Sequence, residues 1–224
     1  MGRREGCQYI IHACLEREWY VREYLIPSML EQGIHEDQID LWLDVNRDGN
    51  LFSCMKCFKF CGENDKGGRW HLQDDVVIAQ DFRERTEAHD SGIVTGFVRE
   101  EWQTLTMKSG YVPAVYMWNS FQCIRIPDDI AGECAEWFFT DVAYRDTYKE
   151  AVSRNKMDDS LFYDFITERH LGDTVLNLEP SLVDHIDFLL GGSVINRERN
   201  GAARGDRWQD EEAFEKLKDK LARR

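Results

Sequence analysis

Apolar positions change period repeatedly along this chain. Gln8 to Cys14 (QYIIHAC) is a short apolar run with a β-branched centre, which predicts a strand, and Glu16 to Gln32 places Trp19, Leu25, Met29 and Leu30 at near-helical spacing until Gly33. Gln38 to Val45 alternates and predicts a second strand, while Leu51 to Cys61 predicts a second helix. Arg69 to Ala79 reads as a third strand running into two adjacent aspartates, followed by a helix from Ile78 to His89. Strands follow over Gly92 to Val98 and, after Gly110, over Tyr111 to Met117. Asp128 to Thr140 and Asp158 to His170 begin with capping aspartates and predict helices. Leu176 to Leu190 starts extended, then enters a short turn or helix over Pro180 to Ile186. From Arg197 the chain is polar, with a surface helix expected over Asp210 to Arg224. Alternation of strands and helices predicts an α/β sheet, with a main domain over residues 1–196 and a C-terminal tail over 197–224.

Composition narrows the classes. The 224 residues are 42% hydrophobic and 12% aromatic, enough for one substantial core rather than a disordered chain. Lys and Arg number 28 against 42 Asp and Glu, a net charge of −14 that opposes general attraction to a phosphate backbone. There is no strong nucleic-acid signal, since the tail carries only nine Lys/Arg against seven Asp/Glu. No run approaches the roughly 18–20 apolar residues of a membrane span, and the apolar stretch near the N-terminus is too short for a signal peptide. Seven cysteines is an odd number for a disulfide framework, so reduced thiols and a cytoplasmic location are expected.

Three stretches carry chemistry. Asp44 to Leu51 (DVNRDGNL) opens like a calcium loop, but its twelfth position is Met55, where a bidentate carboxylate is required, so turn formation explains it better. Cys54, Cys57 and Cys61 share one helix face; a zinc site there lacks a second cysteine pair, and packing of small thiols is the simpler reading. In Trp70 to Ala79 (WHLQDDVVIA), Asp74 and Asp75 interrupt an apolar run at a strand end, where open α/β sheets place ligands. Such a pair needs positive charge. Either it offers hard oxygen ligands to Mg²⁺ or Mn²⁺, or Asp75 caps the helix that follows.

The order of four motifs resembles the glycosyltransferases of the A-type fold, and in particular those of family 2. The motifs are Ala13-Cys14-Leu15-Glu16-Arg17, Leu72-Gln73-Asp74-Asp75-Val76, Asp158-Asp159-Ser160-Leu161-Phe162, and Pro180-Ser181-Leu182-Val183-Asp184-His185. The resemblance spans about residues 7 to 196. It implies a single Rossmann-like mixed sheet flanked by helices and a metal-dependent transfer of sugar from a nucleotide diphosphate donor, UDP-linked by expectation, to a hydroxyl acceptor.

By that resemblance, Asp75 is the principal ligand of Mn²⁺ or Mg²⁺, and His185 reaches the same ion. Asp74 faces the donor, and Gln73 stands where the family often has an acid. Ala13, Cys14, Glu16 and Arg17 line the first strand-to-helix loop around the nucleotide, with Arg17 suited to a phosphate. Asp159 is the expected catalytic base, with Asp158 second, which implies inversion at the anomeric carbon. Capping a helix is the competing role for both. Trp118 is placed to stack on a sugar, and the arginines of the tail to close over the diphosphate. Two alternatives stand beside this reading. A sugar nucleotidyltransferase of the related fold would need a Gly-rich loop, which Ala13 to Trp19 lacks; a non-enzymatic calcium- or zinc-binding protein would use the Asp44 loop or the cysteine face.

Overall fold

The first strand, β1 (Gln8–Cys14), sends alternate side chains to opposite faces: Tyr9, Ile11 and Ala13 enter one apolar cluster and Ile10 the other. A computed structural model describes residues 8–97, 110–112, 121–142, 158–169, 175–178, 181–186, 190 and 219. From β1 the chain passes through a 3-10 turn (Leu15–Arg17) into a helical run made of α1 (Glu18–Tyr20), a π turn (Val21–Leu25) and α2 (Ile26–Glu31). Then come β2 (Ile39–Asp44), α3 (Asn50–Glu63), β3 (Arg69–Gln73), β4 (Val76–Ile78), α4 (Phe82–Glu87) and β5 (Ile93–Thr95). The later elements are β6 (Gly110–Val112), β7 (Cys123–Ile126), α5 (Asp128–Trp137) with a π turn (Phe138–Val142), α6 (Asp158–Glu168), β8 (Val175–Asn177) and β9 (Val183–His185).

Seven strands form one mixed sheet in the order β2-β1-β3-β7-β5-β8-β6. β2, β1, β3, β5 and β8 share one direction, while β7 and β6 run against them. The chain leaves β1 for β2 on one side and returns through α3 to β3 on the other. The crevice between the carboxyl ends of β1 and β3 is therefore a topological switch point, where open α/β sheets bind ligands.

One face of the sheet is covered by α3, α5 and α6 through Phe58, Cys54, Trp137, Phe162 and Phe165; the other is covered by the α1–α2 run and α4 through Tyr20, Leu25, Met29 and Phe82. The α3–α5 crossing is close because glycine meets glycine: a Cβ on Gly132 would lie 2.9 Å from the Gly62 Cα. At the amino end of β3, a fully buried Arg69–Asp128 pair (2.6 Å) ties the strand to the start of α5.

Four features depart from the expectations. The third strand does not run unbroken from Arg69 to Ala79: it stops at Gln73, turns at Asp74 and Asp75, and resumes as β4 in a separate two-stranded ribbon. Within the turn or helix expected over Pro180 to Ile186, the described residues 181–186 instead contain β9, which pairs antiparallel with β4. β7 lies in a stretch without an alternating pattern, because all four of its residues, including Arg125, are buried. The fourth helix begins at Phe82 rather than Ile78. Of the strand expected over 111–117, only its start falls within the described residues.

Candidate functional site

The turn between β3 and β4 points both aspartates at the first loop. Arg17, in the 3-10 turn after β1, donates through Nη1 to Asp74 Oδ1 at 3.0 Å and to Asp75 Oδ2 at 2.5 Å. The backbone N–H of Cys14 donates to Asp74 Oδ2 at 2.8 Å. The ribbon supplies the fourth member: β4–β9 pairing sets His185 opposite Val76, and Ile186 N–H donates to the Asp75 carbonyl at 2.8 Å. His185 Nε2 thereby reaches Asp75 Oδ2 at 3.1 Å. Gly96 lets the strands close, since a Cβ there would lie 2.8 Å from both Cys123 Sγ and Leu182 Cδ1.

This cluster is largely buried, with side-chain exposures of 7% for Arg17, 10% for Asp75 and 13% for His185. Burial alone would lift the Asp75 pKa, but His185 and then Arg17 hold it down at about 2. Asp74 goes the other way, pushed up by burial and by the charge of Asp75. The two carboxylates therefore differ in character: Asp75 is a firm anion and Asp74 the readier proton acceptor. Burial and the charge of Asp74 also raise the Cys14 thiol to about 12, so it is a packing thiol rather than a nucleophile. Asp75 Oδ1 is buried and has no hydrogen-bond partner among the described residues.

A second acidic group lies beside the first. Asp158 is buried at the start of α6 and accepts from Asn50 Nδ2 at 2.9 Å and from Gln73 Nε2 at 3.4 Å. Gln73, next to the aspartate turn, thus links the two acidic stretches. Burial and the neighbouring Asp159 charge raise the Asp158 pKa to about 7. The Asp159 carboxylate accepts from its own helix, from Ser160 N–H at 2.6 Å and Ser160 Oγ at 3.3 Å.

The other expected residues are placed as follows. Ala13 is buried in the core, and Glu16 is exposed and paired with Arg47 at 2.6 Å. Trp118 and the tail arginines lie outside the described residues. Asp75 does not cap α4, whose N-cap position is Asp81. The Asp44 carboxylate is spent on the N–H groups of Asp48 and Gly49, and Asp48 pairs with Lys56 at 2.5 Å. Three contributors were not legible beforehand: Arg17 as counter-ion to the aspartates, Gln73 and Asn50 as partners of Asp158. A buried pair of acids with no local cation was the signal for the first.

Sheet and site together define an α/β protein with a guanidinium–carboxylate–imidazole cluster at its switch point. No protein-family model matches the chain, and no curated protein matches it. Among the described residues no helix is long and apolar enough to cross a membrane.

Proposed function

We propose that the protein is an inverting glycosyltransferase, which moves a sugar from a UDP-linked donor to a hydroxyl acceptor with the help of Mn²⁺ or Mg²⁺. The observation that carries this reading is the convergence of Arg17, Asp74, Asp75 and His185, from three distant segments, on the switch point of the sheet. The donor set suits a divalent ion: Asp75 brings a firmly ionised carboxylate with one buried oxygen left over, and His185 brings an imidazole nitrogen beside it. Asp75 and His185 would hold the ion. When bound, it supplies positive charge against the diphosphate that departs.

The protein's own residues do the rest. Arg17 pairs with the aspartates in this state, and its planar fork would suit the phosphate oxygens of a donor. Asp74, held by Cys14 N–H, faces the donor side. Deprotonation of the acceptor hydroxyl falls to the acidic pair that opens α6. Asp159 was the first choice on resemblance; Asp158 has the claim of position, since it hydrogen-bonds Gln73 next to the aspartate turn, and a pKa near the working pH favours proton transfer. The six thiols described as free suit a reducing compartment such as the cytoplasm.

The test is a thermal-shift screen of nucleotide sugars with and without Mn²⁺, because a ligand that binds only the folded state raises its apparent stability. A UDP-sugar should stabilise the wild type more strongly with Mn²⁺ than without, and Asp75→Ala should lose that difference. Equal UDP affinity with and without metal, in wild type and variant alike, would sink the metal role. Absence of stabilisation by any nucleotide sugar would sink the function.

A further inference from the structure

The geometry points to a second metal site, separate from the aspartate cluster, in which His12, His71 and Cys57 bind a Zn²⁺ ion between the sheet and α3. It does not rest on the glycosyltransferase reading. β1 and β3 are parallel neighbours, and their register aligns Ile10 with His71 and His12 with Gln73, so the two imidazoles stand one step apart on the same face. α3 crosses that face and lowers Cys57 onto the pair. His12 Nε2 lies 2.9 Å from His71 Nδ1 and 3.8 Å from Cys57 Sγ, and the three ligand atoms all fall within 4.8 Å of one another.

Those separations approach the edges of a zinc tetrahedron. With Zn–N of about 2.05 Å and Zn–S of about 2.3 Å, nitrogen–nitrogen edges are roughly 3.3 Å and nitrogen–sulfur edges roughly 3.6 Å. The two printed contacts of His12 therefore need to move by only a few tenths of an ångström, and the third edge lies within 4.8 Å. Two imidazoles and a thiolate form a soft to borderline donor set that suits zinc and disfavours Mg²⁺ or Mn²⁺. The protonation states are favourable too. Burial lowers His12 to about 4 and pushes His71 well below its ordinary value, so both rings are neutral and have lone pairs at neutral pH. Burial also keeps the Cys57 thiol protonated, so binding releases one proton as the S–H bond gives way to S–Zn. His12 is the least buried of the three ligands. An ion here would tie β1, β3 and α3 together one register step below Gln73, the residue that holds Asp158.

The experiment is a Co²⁺ titration of the reduced, metal-stripped full-length protein, followed by displacement with Zn²⁺. One equivalent should bind and give a thiolate-to-cobalt charge-transfer band, which Cys54→Ser keeps and Cys57→Ser loses. Zn²⁺ at about 100 times its Kd should raise the melting temperature by roughly 5–10 °C. Should Cys57→Ser not fold, X-ray absorption on the Zn²⁺-loaded wild type decides: one sulfur and two imidazole nitrogens support the site, and a shell of oxygen and nitrogen alone overturns it. The absence of a thiolate band in folded wild type, or a band that survives in Cys57→Ser, also overturns it and leaves the histidines as a hydrogen-bonded neutral pair.

Discussion

Replacing Arg17 by Met removes the guanidinium that compensates two buried carboxylates while keeping most of the side-chain volume. Asp74 and Asp75 retain side-chain exposures of only 11% and 10%, so water cannot replace the lost cation. Breaking a buried ion pair by deleting one partner typically costs about 3–5 kcal/mol. For a chain of this length that corresponds to a fall in melting temperature of roughly 6–20 °C. The deficit must also depend on pH. Without Arg17 the Asp74 carboxylate, already raised by burial and by the charge of Asp75, titrates higher still above its unfolded value, so the folded state binds more protons over that interval. Stability then falls as pH rises through the raised value, and the deficit of Arg17→Met is larger at pH 8 than at pH 5. Urea unfolding of wild type and variant at both pH values measures this directly. If Asp75 and His185 accept a divalent ion, millimolar Mn²⁺ recovers part of the loss at pH 8. A variant with wild-type midpoints at both pH values would refute the idea that Arg17 is the charge partner of the pair.

Asp158→Asn should flatten the pH dependence of stability. Its folded pKa of about 7 lies above the ordinary 3.8, so wild type loses stability as pH rises between those values, by roughly 4 kcal/mol at most; the amide removes this loss, so denaturation at pH 8 should find the variant no less stable than wild type. In sugar-transfer assays, the variant of the true base, Asp158→Asn or Asp159→Asn, should lose activity by on the order of 10² or more with donor binding intact, and wild-type rates in both would exclude the pair. Gly132→Val should destabilise by about 2–3 kcal/mol through overpacking against Gly62, read from the urea midpoint, because the obstacle is backbone and cannot rotate away.

Much of the scaffold could be read in advance because it depends on local period. β1 and α3 were expected from short apolar runs and emerge within a residue or two of those bounds, since a strand or helix exposes its buried face at a fixed spacing. The Asp74-Asp75 pair was also recognisable as a pair in need of a charge partner, because two charges in an apolar run demand compensation. What compensates them was not recognisable. Arg17 is 57 residues away from Asp74, and its role as counter-ion depends on β1 and β3 lying side by side. β7 was missed for the opposite reason: buried throughout, it has no alternation to reveal it.

The amino-acid sequence by itself determined the α/β class, the presence of two acids inside an apolar run and the residues capable of chemistry, because side-chain type and spacing are local properties. Only the tertiary structure decided which of them meet. The pairing of β4 with β9 brings His185 to Asp75, the order of the sheet creates the switch point, and the crossing of α3 sets Cys57 over His12 and His71. Each of these is a contact between segments far apart in the chain, set by burying both faces of one sheet at once, and no local pattern encodes it.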